Sequence, residues 1–295
     1  MTSKEEIILC PLCKSDSRLL YKGNSSPEKY FKGSTGYSIT EGNTKGILDV
    51  YQCSSCGVGF TPHTLTSADL ISFYSRQPED REYLEEEKAR RYTFSRVLKR
   101  LERSGVSKGR ILDYGAGPGL FLAEAKKAGF EVFGIEASKW ARDHAKASYG
   151  IDMLESGRES ELQKNSFDVA TLFDVIEHVI DPEALIQKVQ GFLKPGGILI
   201  LTTPRFESLT RKVLKQKWYF LFPAHIWYFT RKSLTTTLEK NGFTPFAYRF
   251  HIFHFSLNSF YKRLLKAKKS LFFLKSISVP FCLGEEFEVY ARKNF

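Results

Sequence analysis

A chain of 295 residues has room for one large domain with a small module beside it, and can bury a full core. No apolar run reaches the ~20 residues of a membrane-spanning helix. The opening Met1-Thr2-Ser3-Lys4-Glu5-Glu6 lacks the basic-then-apolar layout of a secretory signal, so a cytoplasmic protein is expected. The net charge of +11 is uneven: residues 205–275 hold fifteen Lys/Arg against two acids, Glu207 and Glu239.

The first module is marked by cysteines. Cys10-Pro11-Leu12-Cys13 and Cys53-Ser54-Ser55-Cys56-Gly57 have zinc-ribbon spacing. Each C-x-x-C presents two thiolates, and four close a tetrahedral structural site for Zn(2+). Such a site has no open position for catalysis. A redox thiol pair is the rival, but it would leave one pair without a job. Ile7-Ile8-Leu9 and Val50-Tyr51-Gln52 suit strands entering the knuckles. The 39 residues between the pairs are rich in Gly, Ser, Asn and Thr, and predict a hairpin with a loose loop.

Residues 67–106 read as helices. Ser67 starts one containing Leu70, Ile71, Phe73 and Tyr74, and a charged helix runs from about Tyr83 to Arg103. Tyr83 and Arg91 lie on this helix, either as lid contacts over a ligand or on a solvated charged face.

The most informative stretch is Ile111-Leu112-Asp113-Tyr114-Gly115-Ala116-Gly117-Pro118-Gly119. An apolar strand ends in an acid and a glycine turn, where backbone can approach a ligand closely. A second strand, Glu131-Val132-Phe133-Gly134-Ile135, ends in Glu136, which can grip two ribose hydroxyls. Together they point to an adenosine-containing cofactor. The dinucleotide fingerprint needs G-x-G-x-x-G. Here the spacing is G-x-G-x-G, and Leu120 stands where a third dinucleotide glycine would be. Asp113 would also repel a pyrophosphate, whereas it could accept from an amino-acid ammonium. S-adenosylmethionine fits better.

Further along, Phe167-Asp168-Val169-Ala170-Thr171-Leu172-Phe173-Asp174 reads as a fourth strand, followed by Val175-Ile176-Glu177-His178-Val179. Leu193-Lys194-Pro195-Gly196-Gly197 reads as a turn before a fifth strand at 198–201. A sixth strand is expected at 243–250 and an antiparallel seventh at 286–292. Between them, Leu257, Phe260, Tyr261, Leu264 and Leu265 recur at helical spacing among lysines, predicting an amphipathic basic helix. Residues 205–275 also carry 18 of the chain's aromatics. Three readings of this basic, aromatic region stand: a lid over the acceptor pocket, a peripheral contact with the inner face of a membrane through 257–272, or a polyanion site.

These segments, in this order, resemble class I S-adenosylmethionine-dependent methyltransferases. With "CPLC … YQCSSCGVGFTP … FYS" in front, the chain resembles bacterial members with an N-terminal zinc ribbon, often associated with surface-polysaccharide, modified-sugar or secondary-metabolite pathways. The resemblance implies an α/β fold: a Rossmann-like seven-stranded sheet with helices on both faces. It implies a zinc ribbon at 1–66, a helical linker or cofactor lid at 67–106, and a methyltransferase domain at 107–295 with an insertion at about 205–284. Asp113, Gly115, Ala116, Gly117 and Gly119 would line the methionine end, with Glu136, Ala137 and Ser138 at the ribose. Phe173 and Asp174 would lie near the sulfonium. The adenine contact would come from around 155–158.

Methyl transfer is an in-line displacement that depends on positioning. A hydroxyl acceptor needs a base, most often histidine. His225 lies in Phe222-Pro223-Ala224-His225-Ile226-Trp227-Tyr228-Phe229-Thr230, similar to an acceptor-side segment of the family. Its bland reading is a histidine that shapes the loop. His178 would share a helical face with Asp174 and Glu177 at i, i+3, i+4 spacing, as base or as brace. The expected acceptor is a small or lipid-linked metabolite, a sugar derivative in particular, methylated on oxygen or nitrogen. The runner-up is an rRNA or tRNA methyltransferase. Against it, no N-P-P-Y-like loop follows the fourth strand, and residues 1–66 are near neutral. A non-catalytic cofactor-binding subunit is the third reading.

Overall fold

The computed structural model describes residues 7–33, 46–259, 261 and 277–295. The chain opens with β1 (Ile8–Leu9), β2 (Asp16–Tyr21), α1 (Pro27–Gly33), β3 (Val50–Cys53) and β4 (Gly59–Phe60). Three helices follow: α2 (Ser67–Ser75), α3 (Arg81–Glu85) and α4 (Glu87–Arg103). Next come β5 (Arg110–Tyr114), α5 (Leu120–Lys127), β6 (Glu131–Glu136), α6 (Lys139–Tyr149), β7 (Leu154–Glu155), β8 (Phe167–Phe173), α7 (Pro182–Phe192) and β9 (Leu193–Pro204). The chain ends with α8 (Leu209–Leu214), β10 (Trp227–Tyr228), α9 (Arg231–Lys240), β11 (Phe243–Phe250), β12 (Phe253–Ser256), β13 (Ser278–Phe281) and β14 (Glu286–Lys293).

Among the described residues the main sheet has seven strands in the order β11-β14-β9-β8-β5-β6-β7. Five run parallel, and β14 enters antiparallel between β9 and β11. The central strands read as near-continuous apolar runs because both faces are covered. Side chains alternate between faces. Ile111, Val169, Ile198 and Ile200 pack with Val97 and Leu101 of α4, Phe121 and Ala125 of α5 and Ala145 of α6. Leu112, Ala170, Leu199 and Leu201 share the opposite core with Leu185 and Val189 of α7 and Leu234 and Leu238 of α9. The strand order reverses between β5 and β8, and such a switch point opens a crevice at the carboxyl ends of the strands.

A second sheet, β1-β2-β3-β4-β10, joins two distant parts of the chain. β4 pairs antiparallel with β10, placing Trp227 opposite Phe60 and Tyr228 opposite Gly59. The Thr230 hydroxyl donates to the Cys56 carbonyl (3.2 Å), and the Lys232 ammonium to the Ser55 carbonyl (2.6 Å). The cysteine module is therefore completed by a strand from the insertion after β9. A third, two-stranded sheet pairs β12 with β13.

Four local expectations change. The stretch expected to be helical at 174–178 is a turn; helix α7 begins only at Pro182, where the Asp181 side chain accepts from the Ala184 amide at 2.9 Å. Proline at the first helical position sets that start. The long charged helix divides at Glu86 into α3 and α4. The linker between the cysteine pairs contains α1 as well as the expected hairpin of β2 with β3. Finally, 193–197 runs on as strand, with Gly196 at φ +75° and a register shift against β8. The amphipathic helix expected at 257–272 lies outside the described residues, apart from 257–259 and 261.

Candidate active site

One cavity of about 960 Å³ opens at the carboxyl ends of β5, β6 and β8. The glycine turn forms its floor. Gly115 has φ +77°, and a Cβ there would stand 2.6 Å from a Val175 methyl. Gly117 has φ +51°, with nothing within 4 Å of where its Cβ would be. Only glycine adopts both conformations at no cost, and at 117 the space is left for a ligand. Gly119 differs. It stands off the cavity, caps α5 at φ +81°, and a Cβ there would press on Ala145 at 2.9 Å. The close approach to Ala145 gives this glycine a packing role as well.

Glu136 ends β6 on the cavity wall. Its carboxylate accepts from the Gly117 amide (2.8 Å) and the Ser138 amide (2.7 Å). Each oxygen keeps a lone pair for another donor. Burial raises its pKa, opposed by these amides. Asp113 is buried at the end of β5 and accepts from the Thr171 hydroxyl at 2.6 Å. Burial pushes its carboxyl up to about 7, with that hydroxyl opposing. Ala116, Ala137, Ser138, Phe173 and Asp174 line the same cavity. The loop expected near the adenine, 155–158, contributes Ser156 and Gly157, and Glu159 just beyond it also lines the cavity.

Asp174 turns the chain sharply. It is a non-glycine residue at φ +55°, a conformation that needs outside support. Thr202 supplies it: the Asp174 amide donates to the Thr202 hydroxyl (3.0 Å), which donates to the Asp174 carboxylate (2.6 Å). The chain then carries Glu177 and His178 over the sheet end. The Glu177 carbonyl accepts from the amides of Ile226 (3.0 Å) and Trp227 (3.2 Å). This places His225 beside His178, with ring centroids 4.5 Å apart.

The Nδ1 of His178 lies 2.9 Å from the Ala224 carbonyl and 3.0 Å from the Tyr74 hydroxyl. The Nδ1 of His225 lies 3.0 Å from the Phe220 carbonyl. A carbonyl only accepts, so these bonds assign the proton to Nδ1 in both rings and leave Nε2 with its lone pair. Burial lowers the His178 pKa to about 4. Burial, then its neighbour His178, holds His225 well below the usual range. Both rings are neutral at pH 7. Glu177 is buried, and neither carboxyl oxygen has a hydrogen bond of normal length among the described residues, the Thr203 hydroxyl beside it being a weak neighbour.

Of the two residues named from the sequence as lid contacts, Tyr83 lines the cavity beneath the Arg90 guanidinium (3.9 Å from the ring centroid), whereas Arg91 turns away to Glu87 and Glu124. Other wall residues carried no sequence signal. His251, Phe253, Glu285 and Glu286 also reach the wall. Of the two acids, Glu285 accepts from the Trp218 indole at 2.8 Å. Spacing could not have found these residues, since the antiparallel strands and the two-stranded sheet bring them back over the crevice.

A family model described as "Methyltransferase domain" matches residues 85–247. The chain belongs to this family. The cofactor of such a methyltransferase is S-adenosylmethionine, and the turn at Gly115–Gly117 with Glu136 beside it fits that molecule. Among curated relatives, the ubiquinone biosynthesis O-methyltransferase of Histophilus somni is 34% identical over 113 residues, covering 35% of this chain and 48% of the relative. Its counterpart in Xanthomonas euvesicatoria pv. vesicatoria is 36% identical over 116 residues, covering 36% and 46%. The chain thus spans about half the length of the curated relatives it matches. A Thermotoga maritima structure described as a SAM-dependent methyltransferase, possible histamine N-methyltransferase, aligns with a TM-score of 0.50 at 22% identity, covering 72% of this chain and 93% of its own. That likeness concerns the fold alone.

The four module cysteines also converge. Their sulfurs all lie within 4.8 Å of one another, with Cys10–Cys56 at 3.9 Å and Cys13–Cys53 at 3.3 Å. Zn–S bonds of ≈ 2.3 Å in a tetrahedron put sulfurs roughly 3.8 Å apart, so the donor set fits one zinc ion. No helix among the described residues is long and apolar enough to cross a membrane.

The buried Asp113 gives a pH signature. Its folded pKa of about 7 exceeds the ~3.9 of an unfolded aspartate. The folded chain therefore holds this proton more tightly, and stability falls as pH rises from about 4 through about 7. Asp113→Asn removes that titration. Urea unfolding at pH 5 and pH 8 is expected to show the variant gaining on the wild type at the higher pH. A difference that does not change with pH would mean that Asp113 ionises normally.

Proposed function

We propose that the protein transfers the methyl group of S-adenosylmethionine to a hydroxyl of a small acceptor held beside His178 and His225. One observation carries this reading. A single cavity runs from the glycine turn and Glu136 to two neutral histidines, walled there by Phe220 and Phe222. A cavity of this kind suits a small, largely apolar ligand with a few fixed polar contacts. The relatives named as O-methyltransferases favour oxygen over nitrogen. Nothing in the comparisons favours a sugar derivative over other small acceptors.

In this reading Glu136 accepts from the ribose hydroxyls with its remaining lone pairs. Asp113 and the turn at Gly115, Ala116 and Gly117 hold the methionine end, a cationic ammonium compensating the buried carboxyl. Phe173, packed on Phe94 and Phe121 with centroids at 5.3 and 4.8 Å, walls the sulfonium end. The domain's work is mainly alignment and exclusion of water. His178 and His225 act as lone-pair groups towards the acceptor. With pKa values depressed below the usual range, neither would stay protonated after accepting a proton unless the acceptor anion stabilised it. The four cysteines hold one structural zinc, which fastens β3 and β4 and through them β10.

Three outcomes test this. With labelled S-adenosylmethionine and a host extract split into RNA, lipid and soluble pools, label should enter the lipid or soluble pool; label in RNA would reject a small acceptor. Glu136→Ala should weaken S-adenosylhomocysteine binding by about 2 kcal/mol, roughly 30-fold, by calorimetry; unchanged affinity would remove Glu136 from the ribose site. Cys53→Ser should lose the zinc and speed amide exchange at 227–229 as well as at 59–61. A variant that retains its zinc would refute the ribbon assignment.

A further inference from the structure

Glu177, His178 and His225 each bring a donor atom within 4.8 Å of the other two. We propose that these three side chains hold a divalent cation in the acceptor half of the cavity, and that the cation takes the acceptor's hydroxyl oxygen as a further ligand. The inference rests on the methyltransferase reading and deepens it for a hydroxyl acceptor.

Three independent features meet at this point. The first is the orphaned carboxylate. Glu177 is 1% exposed and lines the cavity, and neither oxygen has a hydrogen bond of normal length among the described residues, the Thr203 hydroxyl beside it being a weak neighbour. A buried, unpaired carboxylate is costly, and a cation beside it removes the cost. The second is the orientation of the imidazoles. Each gives its Nδ1 proton to a backbone carbonyl, of Ala224 and of Phe220, leaving Nε2 as the donor. Metal-ligating histidines are held in this way, since the carbonyl sets both tautomer and ring plane. The third is rigidity. The two ligand segments are clamped by the Glu177 carbonyl, which receives the Ile226 and Trp227 amides, so the donors are preorganised.

Two imidazoles and one carboxylate leave coordination positions open and suit a borderline divalent ion such as manganese, iron, cobalt or zinc. The site is distinct in kind from the four thiolates of the ribbon, which are soft and fill a closed tetrahedron. An open position facing the cavity would take an oxygen. Coordination acidifies a hydroxyl. Its proton leaves to water, and the oxygen attacks the methyl carbon. The carbon–sulfur bond breaks with its electron pair on sulfur, giving the methyl ether and S-adenosylhomocysteine. Neither the metal nor the protein changes oxidation state.

The test uses the full chain with its ribbon loaded with zinc. Mn2+ is titrated by electron paramagnetic resonance, and S-adenosylhomocysteine by calorimetry on the same preparation. One Mn2+ per chain is expected, with affinity reduced at least tenfold in Glu177→Gln and in His225→Ala, while both variants keep wild-type S-adenosylhomocysteine affinity. No Mn2+ binding to a wild-type chain that still binds S-adenosylhomocysteine overturns the metal site and leaves the methyltransferase reading intact. A wild type that binds no S-adenosylhomocysteine overturns that reading instead. If the variants do not fold, Co2+ added to the zinc-loaded wild type decides. A ligand-field spectrum without thiolate charge transfer supports the site, and its absence overturns it.

Discussion

The carbonyl of Glu177, shared by the amides of Ile226 and Trp227, is the joint on which the candidate site depends. It ties the turn that leaves the fourth parallel strand, β8, to a loop almost fifty residues further on. With the His178 ring on the Ala224 carbonyl and the Trp227 indole on the Val179 carbonyl, it holds His225 beside His178 and β10 where β4 can pair with it. Two hydrogen bonds to one buried carbonyl are individually modest. Their effect is large because each end belongs to a different part of the molecule: the sheet on one side, the insertion and the cysteine module on the other.

That joint explains why the N-terminal module is not an appendage. Cys10, Tyr51, Cys53 and Phe60 share one core with Trp227 and with Leu185 and Val189 of α7. The Trp227 indole also donates to the Val179 carbonyl at 2.8 Å. The module thus buttresses the wall that carries His178 and His225, on the acceptor side of the cavity and away from the glycine turn. Loops carry function when a rigid scaffold positions them, and here a second sheet does the positioning.

The electrostatics of the cavity follow from the same enclosure. Burial, followed by the Asp174 carboxylate, raises the pKa of Glu177 and of Glu286 well above the carboxylate range. The histidines shift the opposite way. Acids that resist ionising and bases that resist protonation are one consequence of a site withdrawn from water. Such clustering of perturbed groups in a crevice is the pattern found at functional sites.

The parallel strands, their order and the cofactor turn were legible in the sequence because their signals are local: apolar runs ended by glycines at 115 and 117, an acid at 136, and helical stretches between them. The cysteine pairs were legible for the same reason, since a C-x-x-C knuckle is a property of four residues. Gly119 shows what spacing alone does not tell: its missing side chain lets α5 pack on Ala145. The turn at 174–180 misled because its residues have helical spacing, while Asp174, held by Thr202 from the neighbouring strand, sets φ positive and breaks the helix before it starts. The sequence by itself determined the fold family, the class of cofactor and the pairing of four cysteines in two knuckles. Only the tertiary structure decided that β10 completes the sheet of the cysteine module, that Glu177 is buried, and that His178 and His225 lie side by side. Those facts depend on hydrogen bonds and burial between residues tens to hundreds of positions apart, which no local pattern encodes.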